Sequence, residues 1–338
     1  MSSSTDAEVM SGSVTGLAAG PWLVVANPTA GGVTRTLVDE VVAAVAEVSG
    51  EVSVRWTTEA GEATRIAASM AAAGADAPAA LVSVGGDGTA RELAEGLARG
   101  LGRWPAGATH SGGTALLVLP GGTGNSTARA LWGQLPIHEV LRVLAAGGCR
   151  VRQLDLLRLV EDDRAIALGA SSGLIADVTR VALKYPEIRG RERYHKALGE
   201  ALSAPAPYPG TITVDGELLH DGLTLLATVG GGRHRVGTFE VLPLSVLDDG
   251  LLDVCVVDGG LPMSAIGELA PHVMGGTHLG RPGVAYAQGR TVRIERSDGE
   301  ALPFESDGEV RPGGGTAVTL EVVPGAVPVL APGAAVAG

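Results

Sequence analysis

Three glycine-rich joints constrain this chain more than any other feature. Each ends an apolar run and precedes a helix-like segment: Asn27-Pro28-Thr29-Ala30-Gly31-Gly32 after WLVVA, Gly85-Gly86-Asp87-Gly88-Thr89 after LVSV, and Gly121-Gly122-Thr123-Gly124-Asn125 after TALLVLP. Apolar residues recur at helical spacing in TLVDEVVAAVAEV, EATRIAASMAAAGA and ARELAEGLARGL. VSVRWTT supplies a further strand and STARALWG the start of another helix. Strand and helix thus alternate through residues 21–150, which predicts an α/β fold built on a doubly wound parallel sheet. Ligands of such sheets bind beyond the carboxyl ends of the strands, so all three joints are expected on one edge.

After Gly147-Gly148 the texture changes. Short segments such as RQLDLLRLV, AIALGAS, GTITVDGEL, LTLLATV, LLDVCVV, TVRIERS and AVTLEVVP are separated by turn signals. They predict a second, mainly antiparallel β-sandwich domain over 151–320, with helices around 179–203 and 262–275. Residues 1–20 read as a flexible tail, and 321–338 as a C-terminal segment able to return to the first domain.

Composition narrows the function classes. The chain has 338 residues, 45% of them hydrophobic, enough to bury a core without covalent staples. Cys149 and Cys255 are the only cysteines, which excludes a disulfide scaffold and fits a reducing compartment. The net charge of -12, with Lys184 and Lys196 as the only lysines, argues against nucleic-acid binding. Gly, Pro or charge interrupts every candidate spanning run, and the start lacks a basic region followed by a long apolar stretch, so the cytoplasm is the expected location.

Glycine at the joints lets backbone N–H groups approach a phosphate, and each following helix adds its positive N-terminal end. Asp87 can hold Mg²⁺, which typically takes one or two carboxylates together with phosphate oxygens. A single joint would be an ordinary tight turn with Asp87 as a helix cap. Three in register at strand ends favour a nucleotide triphosphate. No G-x-x-x-x-G-K-[ST] or G-x-G-x-x-G occurs, so neither a P-loop nor a dinucleotide fingerprint applies.

Asn27-Pro28, GGDGTARELAEGL and LPGGTGNSTARAL resemble the catalytic domain of the diacylglycerol kinase family, which includes bacterial lipid kinases and sphingosine kinases. GGDGT is shared with NAD kinases, whereas G-T-G-N followed by A-R-A-L points to the lipid-kinase branch. VLPLSVLDDGLLDVCVV (241–257) extends the resemblance through the second half, so that it covers residues 21–332. The resemblance implies two domains with ATP, Mg²⁺ and an alcohol substrate in the cleft between them, often in a dimer. The implied reaction is transfer of the γ-phosphoryl group to a hydroxyl of a lipid such as diacylglycerol. A polar alcohol from a biosynthetic pathway is the alternative acceptor, and a nucleotide-binding protein without turnover is a further reading.

By resemblance, the nucleotide contacts are Asn27, Thr29, Thr57, Gly85, Gly86, Gly88, Thr89, Glu92, Gly122, Thr123, Gly124 and Asn125. The resemblance further implies that Asp87 and Asp155 share a metal and water network, and that Asp249 with the backbone oxygens of Val246 and Leu251 forms a second, structural metal site, with a solvated turn at Asp249-Gly250 as the alternative. Phosphoryl transfer also needs a base for the hydroxyl proton. Asp-Gly-Glu occurs at 215–217, 298–300 and 307–309, and most such triplets are hairpin turns. Only FESDGEV precedes the last strand as in the family, which assigns the base to Glu309, with Glu300 as the fallback.

Departures from the family pattern bear on metal and acceptor. Ser126 stands where the family has Asp, Arg91-Glu92 where it has Asn-Glu, and Gly173-Leu174-Ile175-Ala176 lacks the acid of G-x-D-A. RVALKYPEIRGRERYHK (180–196) is a basic island that reads first as a solvated helix and loop surface, with anionic headgroups or a substrate phosphate as the binding alternatives; a peripheral membrane contact is compatible with it. With aromatics at 3%, an acyl pocket would be aliphatic. A rival esterase reading joins Gly169-Ala170-Ser171-Ser172-Gly173 to His110-Ser111-Gly112-Gly113, but its elbow falls in the hairpin-rich half and leaves GGDGT unexplained.

Overall fold

The apolar runs at 22–26, 80–85 and 115–120 are strands buried on both faces, as a parallel sheet covered by helices requires, whereas the edge strand at 52–56 is largely exposed. Trp22–Ala26 (β1), Val52–Trp56 (β2), Ala80–Gly85 (β3) and Ala115–Pro120 (β4) alternate with helices Arg35–Ser49 (α1), Glu62–Ala71 (α2), Asp87–Gly100 (α3), Ser126–Trp132 (α4) and Ile137–Ala145 (α5). All pairings among these strands are parallel, in the order β2-β1-β3-β4. The Thr34 side chain caps α1 by accepting the Leu37 N–H at 3.1 Å. Gly96 and Gly100 let α3 lie against α2: a Cβ on them would stand 2.3 Å from Thr64 O and 2.5 Å from Ala68 O. The computed structural model describes residues 17, 19–109, 112–188, 190–235, 239–311 and 315–333. Residues 1–16 and 18 of the expected tail, and His110-Ser111 of the rival motif, lie outside them.

The second half comprises Cys149–Leu159 (β5), Arg164–Ile166 (β6), Gly169–Gly173 (β7), Leu174–Ala182 (α6), Gly190–Ser203 (α7), Tyr208–Val214 (β8), Glu217–Gly230 (β9), Leu252–Asp258 (β10), Met263–Met274 (α8), Val284–Gly289 (β11), Thr291–Arg296 (β12), Phe304–Ser306 (β13), Glu309–Val310 (β14) and Ala317–Pro332 (β15). Its internal pairings are antiparallel. Two differences from the sequence reading have physical causes. Pro186 cannot continue a helix and separates α6 from α7, and α6 begins directly at Gly173-Leu174. AIALGAS is two strands, because the Asp307 carboxylate draws the N–H groups of Ala167 and Leu168 (2.7 and 3.0 Å) into a bend between them.

Strand β15 joins the halves. Its first part pairs with β12 and β5; its last part continues along β5, and Val329 meets Leu116 of β4 in parallel register. The register with β5 shifts between Val323 and Val327, where Gly325 has φ +56°. Asp155 fastens this bulge: one carboxylate oxygen accepts Gly325 N–H and the other Gly250 N–H, both at 2.7 Å. The described strands thereby form one hydrogen-bonded sheet, and the carboxyl edge of β1, β3 and β4 faces the turns of the second half. No helix among the described residues is long and apolar enough to cross a membrane.

Candidate active site

The three joints touch one another at the carboxyl edge. A Cβ on Gly122 would lie 2.5 Å from Gly86 Cα, and one on Gly32 2.8 Å from Gly121 O, so the backbones meet directly. Asn27 ties the first joint to the second: its Nδ2 donates to Thr89 Oγ1 at 3.0 Å while its Oδ1 accepts from the Thr29 N–H and hydroxyl. Thr89 folds over Gly85, where a Cβ would come within 2.6 Å of Thr89 Oγ1. Asn125, in left-handed conformation at φ 53°, closes the third joint by accepting Gly122 N–H at 2.7 Å and donating to Gly122 O at 2.9 Å. Thr123 faces Gly31.

Asp87 links the second and third joints. It starts α3, and its Oδ1 accepts Thr127 N–H of α4 at 2.8 Å, satisfying one of that helix's orphan donors. Oδ2 points to Gly124, where a Cβ would intrude to 2.8 Å. Oδ2, the Ser126 hydroxyl and the surrounding backbone form an oxygen-rich, bare-backbone cradle. That donor set fits Mg²⁺ held largely through phosphate oxygens. Thr57 is buried beside Ala26 O, and Glu92 accepts Gly61 N–H at 3.0 Å, which anchors the start of α2.

A cavity of about 100 Å³ opens beside Asp87. Its wall includes Ser126 and Thr127 from the first half and Thr179, Tyr194, His234, Arg235, Glu305 and Asp307 from the second. Glu305 of β13 and Asp307, in the turn that follows at φ 47°, both line this cavity. Burial pushes the Glu305 carboxyl up to about 7, against the pull of Arg235, Gly308 N–H and the nearby Ser171 hydroxyl. Burial raises Asp307 as well, opposed by its bonds from Ala167 and Leu168 N–H. It also raises the Tyr194 phenol, which senses both Glu305 and Asp87, and lowers His234 and the Arg235 guanidinium. Sequence reading missed Glu305, Arg235 and Tyr194; the available signal was Glu305 at i-2 from Asp307 in FESDGEV.

Other expected site residues lie elsewhere. Glu309 is outside the cavity lining, its side chain 52% exposed, pairing with Arg164 and, at 3.8 Å, with Arg91 of α3. Glu300 is in an exposed loop held by Asp298. Asp215-Gly216, at φ 50° and 85°, makes the β8–β9 hairpin turn. Asp155 sits at the bulge of β15, with both oxygens on backbone N–H groups; burial raises its pKa, with Asp249 and Asp248 adding to the rise. Asp249 accepts Leu251 N–H at 3.0 Å, Val246 is exposed, and among the described residues no three acidic, His or Cys side chains cluster as metal ligands. Ser171 and Ser172 are fully buried in antiparallel β7, so no exposed nucleophile elbow exists there. In the basic island Arg180 pairs with Asp177, Lys184 with Glu200, Lys196 lies over Tyr185, and Arg193 donates to Ile188 O; Arg189 and the Arg191 side chain lie outside the described residues.

An apolar crevice adjoins this cavity. Leu225, Leu226, Phe239, Ile266, Leu269 and Met274 are among its walls, and Ile175 lines both spaces.

Comparison with known proteins agrees with this arrangement. Residues 21–159 match the diacylglycerol kinase catalytic domain, and residues 169–331 match the YegS C-terminal NAD kinase beta sandwich-like domain. A Pseudomonas aeruginosa protein named "Probable lipid kinase YegS-like" is 32% identical over 317 residues, covering 87% of this chain and 90% of that one. A Staphylococcus carnosus protein named "Diacylglycerol kinase" is 26% identical, covering 85% and 87%. A solved structure described as a diacylglycerol kinase from Bacillus anthracis shares the fold, with a TM-score of 0.66 at 19% identity over 94% of this chain and 98% of that one. With both domain types matched in order along one chain, the protein belongs to the diacylglycerol kinase family.

Proposed function

We propose that the protein is an ATP-dependent kinase that transfers the γ-phosphoryl group to a hydroxyl of a lipid such as diacylglycerol. The observation that carries the lipid acceptor is Ile175, the shared wall between the polar cavity at Asp87 and an apolar crevice. A hydroxyl can then reach the phosphate while its hydrocarbon leaves water. The names of the relatives support the same acceptor class.

In this reading the touching joints supply backbone N–H groups to the triphosphate, with Asn27, Thr29, Thr57, Glu92 and Asn125 holding them in place. Mg²⁺ bound through Asp87 would offset charge on the phosphates. Glu309 is the proposed base by resemblance. Its carboxylate must leave Arg164 and Arg91 to take the hydroxyl proton, so the 307–309 turn is expected to rearrange when substrates bind. Peripheral membrane contact would let the crevice fill directly from a lipid layer.

The test is label transfer from γ-labelled ATP with Mg²⁺ to diacylglycerol in mixed micelles, with a soluble polyol in parallel. Label in the lipid phase is expected. Label only in the polyol would make this a small-molecule kinase, and ATP binding without transfer a nucleotide-binding protein. Gly122→Ala tests the nucleotide site. Its methyl must displace Gly86, and overpacking of that kind costs about 1–3 kcal/mol, so ATP affinity should fall about tenfold or more. Calorimetric titration showing parental affinity would remove the third joint from the site.

A further inference from the structure

Glu305 is a buried carboxyl that the mechanism above does not use. Strand β13 pairs with β7 so that Glu305 faces Ser171 across the ladder, leaving the residue 3% exposed in the wall of the Asp87 cavity. Its Oε2 accepts Gly308 N–H at 2.9 Å. Its Oε1 is buried and accepts no hydrogen bond of normal geometry. Arg235, 6% exposed, gives its Nη groups to the carbonyls of Leu168, Val229 and His234, and makes no ion pair with Glu305.

Burying a carboxyl with an open oxygen and no ion-pair partner costs free energy, which a ligand that completes it recovers. With its carboxyl pushed up to about 7, Glu305 is partly a neutral acid near neutrality, able to donate as well as accept. The groups facing it are Arg235, Asp307, Ser171 and the Gly308 N–H, with Tyr194 and Asp87 on the same cavity wall. Ile175, which lines the apolar crevice, lines this cavity too.

Resting on the kinase reading, we infer that Glu305 is a specificity-determining residue that hydrogen-bonds a second oxygen of the acceptor, beside the hydroxyl that is phosphorylated. The acceptor class is therefore a lipid alcohol with a neighbouring hydroxyl or ester carbonyl, not a simple long-chain alcohol. Glu305 holds the polar end of the acceptor while Ile175 marks where the hydrocarbon turns away.

The test uses the full chain and the variants Glu305→Leu and Glu305→Gln, with a diacylglycerol and a monohydroxy long-chain alcohol as acceptors. The parent is expected to prefer the diacylglycerol. Glu305→Leu should raise its KM for diacylglycerol about tenfold, the effect of one lost hydrogen bond, with kcat within about threefold and the KM for ATP unchanged. The preference over the simple alcohol should vanish. Glu305→Gln keeps a donor and an acceptor and should retain most of it. Equal losses for both acceptors in Glu305→Leu, or a fall in kcat with unchanged KM, would overturn the inference. Calorimetric binding of dioctanoylglycerol separates this from the kinase reading. A parent that binds the lipid but transfers no phosphate defeats the kinase reading alone, while parental binding by Glu305→Leu, or no binding by the parent, defeats the role of Glu305.

Discussion

Asp87→Asn is expected to lower kcat/KM for phosphoryl transfer by about 10²–10³-fold or more, the scale seen when one preorganised electrostatic group is lost from a transition-state site. The residue has two tasks that the variants separate. Oδ1 caps α4 through Thr127 N–H, and Oδ2 faces the Gly124 cradle where metal and phosphate are proposed to meet. Asparagine keeps an oxygen for Thr127 but loses the charge, so its melting temperature should stay near the parent's. Asp87→Ala loses the cap too, worth about 1 kcal/mol, and should melt a few degrees lower with the same loss of turnover. Near-parental turnover in a folded Asp87→Asn protein would leave Asp87 as a helix cap only.

Glu305→Gln should stabilise the protein at alkaline pH and do little in mild acid. The Glu305 carboxyl titrates at about 7 in the fold against 4.5 for the free group. A group raised in the fold contributes stability that is fully present below the unfolded value and is lost as pH climbs through the folded value. The window is therefore pH 4.5 to about 7. Glutamine resembles the neutral acid at every pH, so its advantage should grow by on the order of 2–3 kcal/mol between pH 5 and pH 8. Thermal melts of parent and variant at both pH values measure this. The same difference in melting temperature at both would mean that Glu305 is not a desolvated carboxyl. Because these melts need no substrate, they test the electrostatics of Glu305 independently of its role toward the acceptor.

The fold class was legible because it rests on local properties. Strands β1, β3 and β4 are near-continuous apolar runs, β2 alternates as VSVRW, and the intervening helices carry apolar residues at 3.6-residue spacing, so each element announces itself within its own segment. The joints were legible for the same reason: a glycine-rich break at the carboxyl end of a parallel strand has one edge to occupy. The contact of Gly122 with Gly86 follows once β3 and β4 are neighbours in register.

Pairing partners far apart in the chain were not legible. By resemblance Asp155 joins Asp87 in a metal and water network, but folding brings Gly250 and Gly325 to it, and their N–H groups bond both of its oxygens. Glu309 is assigned as the base by its place before the last strand, and Arg91 and Arg164 converge on it from other elements. By itself the sequence determined the alternation of strand and helix, the one edge on which three glycine-rich joints meet, and the family. Only the tertiary structure decided which carboxylates share a cavity: β13 pairs with β7 across more than a hundred residues, and that register buries Glu305 beside Asp87 while turning Glu309 outward. Periodicity reports what each segment buries, but the partner that desolvates or neutralises a charge is chosen by packing between segments.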